Sequence, residues 1–144
     1  MKNRDSNLSK YICIAFHYVP GRILLPWNDL TLERYINNVN AYGKYIEPST
    51  IKEIGFQLSK GLTFLHGLRL VHGDLKPANI LMHEKRIKIC DFGLTLFIGD
   101  FRWGIQTVNY RAPEVHGRCK YTETADIWSL GIILCEMESR QHPI

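Results

Sequence analysis

The 144-residue sequence predicts an α+β fold in which helices dominate and strands are short. Three observations indicate this class. Apolar side chains recur at helical spacing over residues 50–66, and residues 124–137 are apolar on nearly every side. Elsewhere, short apolar runs alternate with turn residues. The composition, 45% hydrophobic and 22% charged, is ordinary for one globular domain of this length.

The N-terminal part predicts a β-hairpin followed by a helix. Residues 11–19 are rich in strand formers, Pro20-Gly21 is a turn signal, and residues 23–27 form a second apolar run. Residues 30–37 then follow a helical pattern that places three apolar side chains on one face: Leu32, Tyr35 and Ile36.

The strongest helix prediction covers residues 50–66. Thr50 and Glu53 have the spacing of a capping box, and Gly67 follows at the position typical of a C-terminal cap. Five side chains form the apolar stripe: Ile51, Ile54, Leu58, Leu62 and Leu65.

The C-terminal half combines a predicted strand pair, a long loop and a central helix. Residues 80–82 and 87–90 are short apolar runs around a polar turn, whereas residues 93–114 lack periodicity and predict a loop. Residues 124–137 predict a helix for the centre of a core, because helices that are apolar all round are usually buried.

Two motifs carry recognisable chemistry. The first runs from His72 to Asn79 and contains Asp74, and the second is Asp91-Phe92-Gly93. A carboxylate can orient a hydroxyl nucleophile, while an amide oxygen and a second carboxylate can hold magnesium. An isolated Asp-x-x-x-x-Asn carries little weight, but the two motifs around a strand pair favour phosphoryl transfer.

The chain resembles the C-terminal lobe of a eukaryotic-type Ser/Thr protein kinase. It matches that family's H-R-D-x-K-x-x-N, D-F-G and A-P-E motifs in order, the last at Ala112-Pro113-Glu114. Asp126–Gly131 is similar to the start of the family's central helix. The resemblance implies a protein-kinase-like α+β fold. Residues 11–28 would form an N-lobe hairpin and hinge, and residues 29–144 the helical C-lobe.

The resemblance also implies roles for individual residues, with ATP and Mg²⁺ as cofactors. Asp74 would be the catalytic base, Lys76 would contact the transferring phosphate, and Asn79 and Asp91 would bind magnesium. Thr107 is similar to the threonine that links the activation segment to Asp74 and Lys76, and together with Lys76 it favours Ser/Thr over Tyr specificity.

Further roles follow from the same resemblance. Leu81 would lie under the adenine, and His72 would stack with Phe92. Asp126 would support the catalytic loop from below. The hinge beside the nucleotide would include Leu25, Trp27 and Asn28. The Tyr-Arg-Ala-Pro-Glu form of the third motif is similar to that of cyclin-dependent and MAP kinases.

Two alternatives remain open at this stage. Aminoglycoside and choline phosphotransferases often have His-Gly-Asp where protein kinases have His-Arg-Asp, and Gly73 fits that pattern; Lys76 and the third motif favour a protein kinase. The 144 residues also contain no Gly-x-Gly and no V-A-I-K strand, so we expect a truncated domain with very low activity by itself. A catalytically inactive C-lobe mimic that binds another kinase or its substrate is the other alternative.

Partners and regulation are predicted from what surrounds the motifs. A truncated C-lobe would uncover part of the central helix, which predicts self-association or a protein partner through Leu130, Ile132, Ile133 and Leu134. Gly73 replaces an arginine that usually grips a phosphorylated activation segment, and Thr95 is the only hydroxyl residue between positions 93 and 106. We therefore expect no control by phosphorylation of this segment.

Charge and cysteine content limit the other possibilities. The net charge is +4 without a run of basic residues, so the sequence favours neither nucleic acid nor membrane as a partner. The four cysteines form no Cys-x-x-Cys pair and predict reduced thiols, which indicates an intracellular protein of the cytoplasm or nucleus.

Overall fold

The computed structural model describes residues 9–13, 17–19, 22–24, 30–103, 106–115 and 117–139. Within these ranges it contains three α-helices, several 3-10 turns and nine short strands. The helices are α1 (Leu32–Ala41), α2 (Pro48–Gly67) and α3 (Glu123–Ser139). The strands are β1 (His17–Val19), β2 (Arg22–Leu24), β3 (Leu30–Thr31), β4 (Leu70–Val71), β5 (Ile80–His83), β6 (Arg86–Ile89), β7 (Leu96–Phe97), β8 (Phe101–Trp103) and β9 (Arg118–Lys120).

The strands pair only in antiparallel fashion and form four small sheets in the described residues. β1 pairs with β2, β4 with β7, and β8 with β9, while β3, β5 and β6 form a three-stranded sheet in that order. Short antiparallel sheets beside longer helices confirm the predicted α+β class.

Helix α2 packs its apolar face into the main core. Its predicted stripe is confirmed, since Ile54, Leu58, Leu62 and Leu65 are buried and Ile51 packs against the same cluster. The helix begins earlier than expected, with Glu47 as N-cap and Pro48 in the first turn. The predicted capping box is therefore wrong: Thr50 lies inside the helix, and the Glu53 carboxylate accepts a hydrogen bond from Gln57 instead.

Helix α1 also exists but is longer than predicted and ends at Ala41. It begins after Thr31, whose hydroxyl accepts a hydrogen bond from the backbone N–H of Arg34 and so caps the first turn. Leu32 and Ile36 are buried and Tyr35 is partly buried, as the spacing predicted. The two residues before the helix form β3, which pairs with β5 and so attaches α1 to the strand that follows the first motif.

The predicted N-terminal hairpin is confirmed by β1 and β2, which pair in antiparallel fashion with His17 opposite Leu24. Its first strand is shorter than expected, because Ser9–Tyr11 form a 3-10 turn and Ile12 makes a single parallel bridge to Ile89. The predicted hinge residues lie outside the described residues: Leu25, Trp27 and Asn28.

Residues 93–114 are not a featureless loop. β7 pairs with β4, and β8 pairs with β9, so the first half of this segment is attached at two points to distant parts of the chain. The periodicity of a two- or three-residue strand is too short to detect in a sequence. The partners that stabilise these strands are also remote along the chain.

Helix α3 covers residues 123–139 and packs against α2. The predicted uncovered patch is misplaced: Ile132 and Ile133 are buried, and Leu130 and Leu134 are half-buried. The large apolar side chains that this helix exposes are instead Ile127 and Trp128, and Trp128 lies one turn before Ile132 in the lining of the same cavity. Among the described residues, no helix has the length and apolar character needed to cross a bilayer.

Candidate functional site

The catalytic loop (residues 72–79) connects β4 to β5, and a buried carboxylate on α3 holds its first turn. Asp126 is fully buried, and its two oxygens accept hydrogen bonds from the backbone N–H groups of His72 (2.9 Å) and Gly73 (3.1 Å). The Nε2 atom of His66 lies 2.9 Å from the same carboxylate. Asp126 therefore supports the loop in the position that the sequence predicted for it.

Three predicted site residues meet at one carboxylate. Asp74 Oδ1 accepts hydrogen bonds from the Thr107 backbone N–H (2.9 Å) and the Thr107 hydroxyl (2.7 Å). Asp74 Oδ2 lies 2.8 Å from Lys76 Nζ, which also donates to the Thr107 hydroxyl at 2.8 Å. The structure thus brings Asp74, Lys76 and Thr107 together in a closed network, although their chemical roles stay predictions.

This network keeps Asp74 ionised. Burial raises the cost of its charge, but hydrogen bonds from Lys76 and Thr107 outweigh that cost and leave the pKa of the carboxyl below its ordinary value. Because Asp74 is only 8% exposed, these partners also fix the direction of its oxygens. An ionised, oriented carboxylate of this kind can accept a hydrogen bond from a substrate hydroxyl.

Of the two predicted magnesium residues, Asn79 bonds to this network, whereas Asp91 follows a residue that pairs with the Asn79 backbone. The Asn79 side-chain N–H₂ donates to the backbone carbonyl oxygen of Asp74 (2.9 Å) and to Asp74 Oδ2 (3.3 Å). The backbone carbonyl of Asn79 accepts a hydrogen bond from the backbone N–H of Cys90, the residue before Asp91. Asp91 is exposed and has φ of 63°, a left-handed conformation that aspartate tolerates better than most residues.

His72 and Phe92 connect the catalytic loop to the second motif. The two rings are in contact, as predicted, but they meet edge to face, with centroids 5.3 Å apart, and do not stack. His72 Nδ1 accepts a hydrogen bond from the backbone of Asp74, so Nε2 carries the proton that is donated to the Cys90 carbonyl at 3.0 Å. The predicted adenine contact, Leu81, is half-buried on β5.

Gly73 occupies a position that only glycine fits without strain. Its φ is +79°, and a Cβ built there would lie 2.7 Å from the backbone oxygen of Leu94. The activation segment (residues 91–114) therefore passes directly over the catalytic loop at this point. Thr95 reinforces the contact, since its hydroxyl donates to the His72 carbonyl at 3.3 Å.

One buried glutamine, Gln106, contributes to the site region and escaped the sequence analysis. Gln106 is 2% exposed and donates to the Ala125 carbonyl (3.4 Å) and the Ser129 hydroxyl (3.3 Å). The backbone carbonyl of Gln106 accepts a hydrogen bond from the Arg111 guanidinium at 2.6 Å. Gln106 thereby attaches the activation segment to α3, immediately before Thr107. No local pattern marks it, because its partners lie up to 23 residues away.

Comparison with known proteins assigns the family. The sequence matches the family described as "Protein kinase domain" over residues 5–144, which is nearly the whole chain. The chain belongs to the protein kinase domain family. This agrees with the geometry above, in which the motifs that the resemblance identified converge on Asp74.

Three curated relatives are similar to this chain. The chain is 39% identical over 126 residues to "Cyclin-dependent kinase B2-1" of Arabidopsis thaliana, and 37% identical to "Cell division control protein 2 homolog D" of Antirrhinum majus. It is also 37% identical to "Cyclin-dependent kinase B2-2" of Arabidopsis thaliana. Each alignment covers 83% of this chain but only 40% of the relative. The kinase chain described here thus spans less than half the length of the curated relatives that it matches.

Proposed function

We propose that this chain carries the phosphoryl-transfer half of a Ser/Thr protein kinase, with Asp74 as the catalytic base. The observation that supports this most strongly is the closed network of Asp74, Lys76 and Thr107. It keeps one carboxylate ionised, buried and oriented beside a lysine that can neutralise a transferring phosphate.

In this proposal, Asn79 and Asp91 hold magnesium. Their donors fit the ion, because Mg²⁺ prefers carboxylate and amide oxygens and usually takes only one or two protein carboxylates beside substrate phosphates. The described residues include no cluster of three or more His, Cys, Asp or Glu side chains that could hold a metal without such help. Bound Mg²⁺ neutralises the charge that develops on the ATP phosphates during transfer.

The chain's own residues prepare the acceptor and the phosphate. Asp74 accepts the hydrogen bond of the incoming Ser or Thr hydroxyl and takes its proton as the phosphoryl group transfers. Lys76 lies between Asp74 and Thr107 and can move toward the phosphate, since its side chain is about one-quarter exposed. Thr107 holds the activation segment against both residues, so an acceptor peptide lying on that segment reaches Asp74.

We further propose that these 144 residues alone transfer phosphate very slowly. They contain no Gly-x-Gly loop to cover the phosphates and no V-A-I-K strand to supply the phosphate-binding lysine. Loss of one preorganised electrostatic donor costs roughly 10²–10³ in rate, and several are absent together.

A radioactive transfer assay from ATP to dephosphorylated casein tests the role of Asp74. We expect the wild type to transfer slowly but measurably above the protein-free background during a long incubation, and Asp74→Asn to show no transfer above that background. Glu138→Gln, which removes an exposed carboxylate on α3, is the matched control and should leave any wild-type transfer unchanged. Transfer that survives Asp74→Asn at the wild-type rate would exclude Asp74 as the base. Rapid wild-type transfer would instead overturn the proposal of low activity.

One observation favours the inactive C-lobe mimic as a second candidate. Ile127 and Trp128 line an open cavity of about 500 Å³ on α3, where a further segment of a longer protein or another protein can bind. If the chain acts as a mimic, an excess of it should inhibit a purified cyclin-dependent kinase, and Trp128→Ala should weaken that inhibition. Unchanged kinase activity at saturating concentrations of the chain would exclude this function.

A further inference from the structure

A groove between α2 and β6 collects cationic side chains away from the phosphoryl-transfer site. It consists of two adjoining cavities of about 440 Å³ and 510 Å³, which share Glu53, Gln57 and Arg86 in their linings. Four cations line the combined groove: Lys10, Lys85, Arg86 and Lys88. No residue of the groove belongs to the network around Asp74.

The positive charge of this groove is largely uncompensated. Glu53 is the only acidic residue in its lining, and one of its oxygens is already bonded to the Gln57 amide at 2.8 Å. In the part of the chain that the structure describes, none of the four cations forms an ion pair with an acidic side chain. Positive charges that remain unpaired along a concave surface attract anionic partners.

The cations also have a defined spacing. Arg86 and Lys88 are two residues apart on β6 and line the same cavity, while the alternate side chains Ile87 and Ile89 are buried in the core. Two residues along a strand span about 6.7 Å, which is also the distance between alternate side chains of an extended peptide. We propose that this groove binds an extended acidic segment of a partner protein, with carboxylates at alternate positions facing Arg86 and Lys88.

Two observations favour recognition of peptide side chains over other modes of binding. The backbone N–H of Ile87 already donates to Gln57 Oε1 at 3.0 Å, so a partner strand cannot hydrogen-bond to β6 at this point. Tyr11 is the only aromatic side chain in the lining, and Lys10 stands over its ring at 5.1 Å. Single-stranded nucleic acids need aromatic side chains on which bases can stack, and this groove offers no free one.

Fluorescence anisotropy of the full chain with labelled peptides tests the proposal. One peptide alternates glutamate with serine, and the other has the same composition with its glutamates in one block. We expect the alternating peptide to bind more tightly, with an affinity that falls as salt is raised. The double variant Arg86→Glu/Lys88→Glu should weaken its binding about tenfold or more, since two attractive charge pairs become repulsive.

Matched variants separate the groove from net charge and from misfolding. Lys44→Glu/Lys52→Glu makes the same charge change at exposed lysines outside the groove and should alter affinity less than about twofold. Glu53→Gln should tighten binding about two- to fivefold, a gain that an unfolded variant cannot produce. Equal losses in the two double variants, no preference between the peptides, or tighter binding of a single-stranded oligonucleotide would each overturn the proposal.

Discussion

Replacing Gly73 by alanine should destabilise this protein through two effects, backbone strain and a steric clash. Substitutions at other glycines of the chain allow the two effects to be measured separately. A non-glycine residue in the left-handed region costs about 1–2 kcal/mol, and Gly73 has φ of +79°. The new Cβ would also meet the Leu94 carbonyl oxygen at 2.7 Å, so the backbone of the catalytic loop or the activation segment must move. We expect Gly73→Ala to lower the free energy of unfolding by about 2–4 kcal/mol.

Two control substitutions isolate these contributions. Gly43 has φ of +65° with no atom within 4 Å of the added Cβ, so Gly43→Ala should cost only about 1 kcal/mol. Gly131 lies exposed inside α3 with an equally open surrounding, and Gly131→Ala should stabilise the protein by about 0.5–1 kcal/mol. Urea unfolding followed by circular dichroism measures all three. A Gly73→Ala variant no less stable than Gly43→Ala would refute the close approach of the activation segment to the catalytic loop.

Three further predictions concern buried polar groups. Because the folded-state pKa of Asp74 is lowered, its contribution to stability is present above pH ~4 and is lost as the pH falls through the lower folded value. The difference in urea midpoint between wild type and Asp74→Asn should shrink in that acid range, and a constant difference would contradict the network. Burial raises the pKa of the Cys90 thiol to about 11, which makes its thiolate roughly 200-fold scarcer at pH 8 than that of an ordinary thiol. In native protein, iodoacetamide should therefore modify the exposed Cys135 long before Cys90, as peptide mass spectrometry can show. Gln57→Ala should cost about 2–4 kcal/mol in urea unfolding, since it leaves a buried backbone N–H of β6 without its partner; a cost below 1 kcal/mol would contradict that bond.

Elements whose information is local could be predicted from the sequence. The stripe of α2 and the apolar α3 are visible because helical periodicity repeats over several turns. Helix ends were less predictable. Thr50 and Glu53 have the spacing of a capping box, yet Pro48 begins the helix and Glu53 bonds to Gln57. The strands β7 and β8 depend on partners that are distant in the sequence, so no local pattern indicated them.

In the candidate site, too, some residues could be predicted from local motifs and others depend on distant contacts. The motifs identified Asp74, Lys76 and Thr107, and the structure places them within hydrogen-bond distance of one another. Gln106, which directly precedes Thr107 and attaches the activation segment to α3, could not be predicted from the sequence, because a lone glutamine has no signature and its partners are remote along the chain. Buried side-chain amides of this kind become visible only when the fold brings their partners together.

Isothermal titration calorimetry of Mg²⁺–ATP binding tests the central claim most directly. Asp91→Asn is the sharpest variant, because asparagine tolerates the left-handed backbone of Asp91 and keeps an oxygen for the Gly93 N–H while removing the charge. The wild-type chain should bind ATP only when Mg²⁺ is present, and Asp91→Asn should weaken that binding about tenfold or more. Magnesium-dependent binding that is unchanged in Asp91→Asn, or no nucleotide binding by the wild type, would contradict a phosphoryl-transfer site built from these residues.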